Sequence, residues 1–378
     1  MRILMLTSNS SLMDGINRHI LAIASHVNRL DGCEVAVCTV FPRAELADAL
    51  EVEGVTTYSL NAANGHDIHV LWRFYKVMKA FRPDVVHVHV LAVFERVVLA
   101  TLFRSVKYVC TVHGISDKVD DVTLRMRLES MMEKVFSIPY AVTCVVSNGV
   151  KEHLFGDGSK KDIRTIYNPI DFSQSQSIHH QLRRLIGVSD DTPIIGTACR
   201  FAAVKNPSVF TEVMCRVLQQ NQNAHAVVMG DGEKALKKHL QSIVSSYGVP
   251  ERFHWLGYRQ DAPELVCDLN CFVMTSLSEG MPTSILEAMV NKVPFAMMEG
   301  NGGLKDIAAL NKKEGPVGVV VAAGDVEALV TGILRLIKDF SYATSLAERA
   351  FIIGKRHFDI EQVSMQLHYV YKTVLELK

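Results

Sequence analysis

The chain has 378 residues, 48% hydrophobic and 21% charged, with 23 Gly and 11 Pro. That composition excludes an intrinsically disordered chain and a fibre, and the length suits two domains plus connections. Forty Lys+Arg balance forty Asp+Glu for a formal net charge of +0, so no overall field holds nucleic acid and no nucleic-acid partner is expected.

The first residues, Met1-Arg2-Ile3-Leu4-Met5-Leu6-Thr7, enter a strand pattern without a signal-peptide apolar region. The longest apolar candidate for a membrane span, Val85–Phe103, is broken by Glu95 and Arg96. The eight cysteines contain no C-x-x-C pair, and Cys267 and Cys271 have no histidine beside them. No zinc site is therefore expected, and a cytoplasmic protein is.

Short β-branched runs alternate with amphipathic stretches, the pattern of βαβ units and parallel sheets. The first half predicts strands over Ile3–Thr7, Val35–Val40, Val55–Tyr58, Val85–Val88, Tyr108–Val112, Ala141–Val146 and Ile163–Ile166. Helices are predicted over Ile16–Leu30, His69–Phe81, Phe94–Leu102 and Leu124–Phe136. The polar interval 171–191 reads as an inter-domain connection between domains at 1–170 and 192–357. Strands then resume over Ile194–Ala198, Ala226–Met229, Phe253–Leu256, Cys271–Thr275, Pro294–Met297 and Val317–Val321, and Asp325–Lys378 reads as helical throughout. The expected fold is two doubly wound α/β domains, whose ligands bind at the carboxyl ends of strands.

Those strand ends carry the candidate chemistry. Gly15 precedes a helix start that can receive an anion, although taken alone this segment is better read as a plain βα turn. His113 follows a strand and can hydrogen-bond a sugar hydroxyl or carry a proton. Arg200 and Lys205 lie between a strand and a helix start at Asn206-Pro207, which suits a diphosphate. Gly230-Asp231-Gly232-Glu233-Lys234-Ala235 matches the dinucleotide fingerprint in form, but no acidic residue ends the following strand. A nicotinamide cofactor is thus disfavoured, and a loop facing the phosphate or ribose of another nucleotide remains. The segment Glu279-Gly280-Met281-Pro282-Thr283-Ser284-Ile285-Leu286-Glu287 places two carboxylates around a helix start. Glu279 is placed to accept from hydroxyls. Glu287 can do the same or close a capping box with Ser284. The glycine-rich run Glu299–Asp306 offers amides to sugar or anionic oxygens.

Taken together, these segments resemble glycosyltransferase family 4, the retaining sugar-nucleotide transferases of GT-B architecture. The resemblance also rests on Pro83-Asp84-Val85-Val86-His87-Val88-His89, Thr111-Val112-His113-Gly114, Ser147 and Asn168-Pro169-Ile170-Asp171. It implies a GT-B fold of two facing Rossmann-like domains, with a C-terminal helix, 358–378, crossing back to the first. The first domain would take the acceptor and the second the donor. Arg200 and Lys205 would bind the donor diphosphate and stabilise the leaving group, Glu279 the donor sugar, and Glu287 the ribose. His113 would touch the sugar from the other domain. Gly15, Gly230, Gly232, Gly280, Met281, Pro282 and Thr283 would line the donor site. The resemblance implies a metal-independent, retaining hexosyl transfer from a nucleotide-diphosphate sugar, with uridine as the expected base. A saccharide or lipid-linked saccharide of a surface polysaccharide or lipopolysaccharide would accept it. The chain has no Asp-x-Asp, in keeping with the expectation of no metal and no cofactor. Two departures stand out: Asp306 replaces the family's usual Glu, and the glycine-rich opening loop is reduced to Met13-Asp14-Gly15. A GT-B epimerase or phosphorylase, or a non-catalytic sugar-nucleotide-binding protein, is the alternative.

Residues 66–107 carry seven basic and three acidic side chains, with Trp72, Phe74, Tyr75 and Phe81 among them. This stretch reads either as a helix packing its aromatics on the sheet or as a peripheral contact with an anionic membrane.

Overall fold

The structure, a computed structural model, describes residues 1–12, 15–64, 67–89, 103, 106–114, 141–156, 162–174 and 180–376. The helices expected over Phe94–Leu102 and Leu124–Phe136, and residues Met13 and Asp14, lie outside the described residues. Contacts divide the chain into two units. One comprises Met1–Ser147, Lys151–Pro169 and Ile360–Lys378; the other comprises Asn148–Val150 and Ile170–Asp359.

The first unit holds a seven-stranded sheet of β1 (Arg2–Thr7), β2 (Glu34–Thr39), β3 (Thr56–Ser59), β4 (Val85–Val88), β5 (Lys107–Val112), β6 (Val142–Val145) and β7 (Ile163–Thr165). Their order is β3-β2-β1-β4-β5-β6-β7, and every pairing is parallel. Side chains alternate across a strand, so a sheet covered on both faces needs apolar residues at nearly every position. Ile3, Met5, Val35 and Val37 pack with Ile20, Ile23, Val363 and Leu367, from helices Gly15–Asn28 and Ile360–Glu376. Leu4, Leu6, Ala36 and Cys38 pack instead with Val70, Phe74, Val77 and Phe81 of helix His69–Phe81. Each Val, Leu, Ile, Phe or Met among them stabilises its core by roughly 1.5–3 kcal/mol when fully buried.

The second unit repeats the logic with β8 (Ile194–Ala198), β9 (His225–Met229), β10 (Phe253–Gly257), β11 (Cys271–Met274), β13 (Phe295–Met298) and β15 (Val319–Val321). Their order is β10-β9-β8-β11-β13-β15, again parallel. Two short strands, β12 (Ser278–Glu279) and β14 (Asn301–Gly302), pair separately. In each sheet the winding reverses beside the first strand, between β1 and β4 and between β8 and β11. Those switch points open a crevice at the carboxyl ends.

Two differences from the sequence reading have local causes. The polar interval 171–191 contains a helix, Gln181–Ile186. It is held by buried Arg183, which donates to the Asp268 carbonyl at 2.6 Å and to Asn270 Oδ1 at 2.9 Å. The terminal helical stretch is three helices, Val326–Lys338, Phe340–Phe358 and Ile360–Glu376. Asp339 ends the first and caps the second, its carboxylate accepting from the Tyr342 amide at 3.0 Å.

Candidate functional site

In the second unit, chemistry gathers at the switch point between β8 and β11. Arg200 is exposed two residues past β8. Lys205 ends a single 3₁₀ turn, Ala203–Lys205, before helix Pro207–Gln220 opens with its proline in the first turn. That turn hangs from the end of β11: the Leu277 amide donates to the Val204 carbonyl at 2.8 Å, and Thr275 Oγ1 to the Asn206 carbonyl at 3.2 Å. Lys205 Nζ consequently meets Glu279 Oε2 at 2.5 Å. A small cavity lined by Thr197, Cys199, Phe201, Lys205, Met274 and Thr275 adjoins this lysine.

Glu279 sits in β12, whose partner β14 belongs to the glycine-rich run. Two of the run's amides serve this pairing: Asn301 N donates to the Leu277 carbonyl at 2.8 Å and Gly303 N to the Gly280 carbonyl at 3.2 Å. These amides are therefore committed to the Glu279 loop rather than open to an anion. Gly302 has φ +64°, and a Cβ there would fall 2.0 Å from the Glu279 carbonyl oxygen. Thus the loop must be glycine to lie against Glu279.

Gly280, Met281 and Pro282 lead into helix Thr283–Val290. Pro282 occupies the cap without a side-chain cap bond, and Ser284 lies inside the helix, so the Ser284–Glu287 capping box is not formed. Glu287 is partly exposed on the first turns. Gly230 and Gly232 have a packing reason to be glycine: added Cβ atoms would lie 1.8 Å from the Cys199 carbonyl oxygen and 2.6 Å from Phe201. Asp306 accepts from the Asn148 and Gly149 amides at 2.9 and 2.8 Å, which caps helix Asn148–Phe155.

At the first unit's switch point, His113, singled out in the sequence, is part of a larger cluster that the sequence did not show as one. The loop after β1 is tied down by buried Asn17, which donates to the Ser11 carbonyl at 2.8 Å and accepts from Thr7 Oγ1 at 3.2 Å. Gly15, exposed, opens the helix that carries Asn17. Beside this loop lie four histidines. On β4 and its extension, His87 and His89 alternate onto one face, with ring centroids 4.1 Å apart. Tyr371 Oη lies 2.6 Å from His87 Nδ1, and His87 Nε2 lies 2.7 Å from Thr111 Oγ1. His89 Nδ1 is 2.9 Å from His113 Nε2. His19 packs edge-on against both, at 5.7 and 5.0 Å. Burial pushes the pKa of His87 and of His113 down to about 3, with neighbouring rings adding to it. His19 and His89 are lowered for the same reasons. All four rings are neutral at pH 7. His19, His89 and His113 also bring ligand nitrogens within 4.8 Å of one another, a nitrogen-only set without a carboxylate. The visible trace of this cluster in sequence is a pair of histidines two apart in an otherwise apolar strand.

Two doubly wound parallel sheets, each with a polar switch point, define an α/β protein that binds ligands at strand ends. Comparison makes the class specific. Residues 180–351 match the family described as "Glycosyl transferases group 1" and residues 13–174 match "Glycosyltransferase Family 4". The lipopolysaccharide core biosynthesis glycosyltransferase LpsE of Rhizobium meliloti is 26% identical over 208 residues, 54% of this chain and 57% of that one. An Escherichia coli UDP-Gal:alpha-D-GlcNAc-diphosphoundecaprenol alpha-1,3-galactosyltransferase is 25% identical over 308 residues, 78% of this chain and 76% of that one. In fold, the chain is similar to Anabaena HepE (Alr3699), solved in complex with UDP and glucose. The TM-score is 0.79 at 19% identity, covering 99% of this chain and 100% of that one. The chain belongs to the family 4 glycosyltransferases of GT-B fold. It is a glycosyltransferase.

Proposed function

We propose that the protein transfers a hexose, with retention of anomeric configuration and without a metal, from a UDP-sugar to a saccharide or lipid-linked saccharide of a surface polysaccharide or lipopolysaccharide. The observation carrying this reading is the Lys205–Glu279 pair at the β8–β11 switch point, with Arg200 close by in sequence. Lys205 supplies a point charge and Arg200 a planar fork for diphosphate oxygens. The charge they neutralise is the charge that grows as the glycosidic bond to the leaving phosphate breaks. A bound diphosphate competes with Glu279 for Lys205, which frees the Glu279 carboxylate to accept from sugar hydroxyls. Glu287 and residues 280–283 are assigned to the nucleoside side, and His113 to a substrate hydroxyl. With no second carboxylate assigned to attack the anomeric carbon, we assign retention to a same-face route in which the leaving phosphate takes the acceptor proton. UDP and a saccharide acceptor are supported by the names of the relatives and of the fold neighbour.

The same proposal places the enzyme at the cytoplasmic face of an anionic membrane. No helix among the described residues is long and apolar enough to cross a membrane. In support of peripheral contact, Trp72 is 60% exposed, stacks on Tyr75 and carries Lys76 over its ring.

A thermal-shift screen of nucleotide sugars, followed by turnover read as UDP release, tests the assignment. UDP-sugars should stabilise the wild type, as any ligand of the native state does. Lys205→Ala should lose at least 100-fold in kcat with the fold intact. Retained activity in that variant overturns the diphosphate assignment, and loss of turnover in EDTA overturns metal independence. An anomeric NMR signal for the inverted product would refute retention.

A further inference from the structure

Which proton His113 presents is decided by its neighbour. His89 Nδ1 and His113 Nε2 are 2.9 Å apart, and both rings are neutral, so one shared proton joins them. Two placements exist. If His113 Nε2 donates, His89 must carry its own proton on Nε2, which is buried and has no partner among the described residues. If His89 Nδ1 donates, the same Nε2 holds only a lone pair. An orphaned buried acceptor costs less than an orphaned buried N–H, so the second placement wins. His113 then carries its proton on Nδ1.

His89 is itself held. Its ring lies against His87, whose two nitrogens are both engaged. The hydroxyls of Tyr371, at Nδ1, and Thr111, at Nε2, together hold the His87 ring in place. Edge-on packing of His19 closes the cluster.

From this geometry we infer that His89 is a positioning residue that fixes His113 as the Nδ1–H tautomer. A substrate hydroxyl oxygen at His113 then meets a donor, not a lone pair. The catalytic consequence rests on His113 touching substrate, as proposed above; the tautomer does not.

The test uses the full chain with ¹⁵N-labelled histidine. Long-range ¹H–¹⁵N spectra at pH 7 should show His113 Nε2 unprotonated and Nδ1 protonated. In His89→Phe, which keeps a ring but no nitrogen, the His113 shifts should move to the averaged values of exchanging tautomers. His89→Gln, whose amide can still donate, should restore them. UDP release by His89→Phe should fall about 10-fold in kcat with donor KM little changed. The double variant His89→Phe/His113→Ala should be no slower than His113→Ala alone. Protonated Nε2 in the wild type, or unchanged His113 shifts in His89→Phe, overturns the inference. So does tight one-to-one binding of added Zn²⁺ through these rings, which would make the cluster a metal site. If instead the shifts behave as expected and His113→Ala keeps full activity, the role of His113 in catalysis falls while the tautomer assignment stands.

Discussion

At the scale of single residues, glycines separate packing from function. Gly230 abuts the Cys199 carbonyl, so Gly230→Ala must push two strand-end loops apart. We expect it to lose roughly 1–3 kcal/mol, read as a lowered urea midpoint. At Gly15 no atom of the described residues stands within 4 Å of where a Cβ would be. Gly15→Ala at a helix start should therefore leave stability within about 0.5 kcal/mol, and any activity it loses reports on ligand approach. Both glycines were singled out in sequence for the same reason, a strand-to-helix turn. Their different surroundings came from long-range packing that no local motif encodes. Asp306 makes the same point: the sequence placed it in a glycine-rich loop suggestive of ligand contact, yet it lies in the first turn of helix Gly303–Lys313 and its two oxygens accept from the Asn148 and Gly149 amides.

At the scale of elements, helix His69–Phe81 divides the aromatics that composition lumped together. Phe74 and Phe81 are buried in the core, whereas Trp72 is exposed and Tyr75 partly so. Lys76 and Lys79 sit over these two rings at 5.5 and 5.7 Å. An exposed aromatic pair with cations suits a lipid headgroup region. Flotation on vesicles with anionic lipid should carry the wild type upward, while Trp72→Ala/Lys76→Ala should stay in the lower fractions. Equal behaviour of the two proteins, or no flotation of the wild type, refutes membrane contact by this helix.

At the scale of the whole molecule, four neutral histidines in the first unit set its response to acid. Unfolded histidines take up protons near pH 6.5, whereas His87 and His113 resist until about 3. Protons therefore bind the unfolded chain preferentially across that interval, and stability present at neutral pH is lost as pH falls through it. Each such histidine steepens the slope by at most about 1.4 kcal/mol per pH unit. Urea midpoints for the wild type and His87→Phe at pH 7.5 and 5.5 check this, and the variant should show the shallower dependence. Parallel slopes would mean that His87 is not held neutral.

The alternation of buried strands and amphipathic helices was legible because it is local: the strands of both sheets lie within a residue or two of their sequence positions. The helix Glu45–Val52 was not read, being short, nor was Gln181–Ile186, which is secured by Arg183 bonds to residues more than 80 positions away. Arg200, Lys205, Glu279 and His113 were legible because they lie just after strands, where α/β sheets bind ligands. The partners of those residues were not. That Lys205 faces Glu279, 74 positions on, and that Tyr371 reaches His87 across 284 positions, follows from sheet order.

By itself, the sequence determined two parallel α/β units, the absence of a general charge field, and strand-end residues with transferase character. Periodicity, composition and motif spacing are properties of neighbouring residues. Tertiary structure alone decided which glycines are packing necessities, which aromatics stay in solvent, and that four histidines gather on one face of β4 and β5. Each depends on which strands pair, and strand order is fixed by burial of the whole sheet, not by any segment of it.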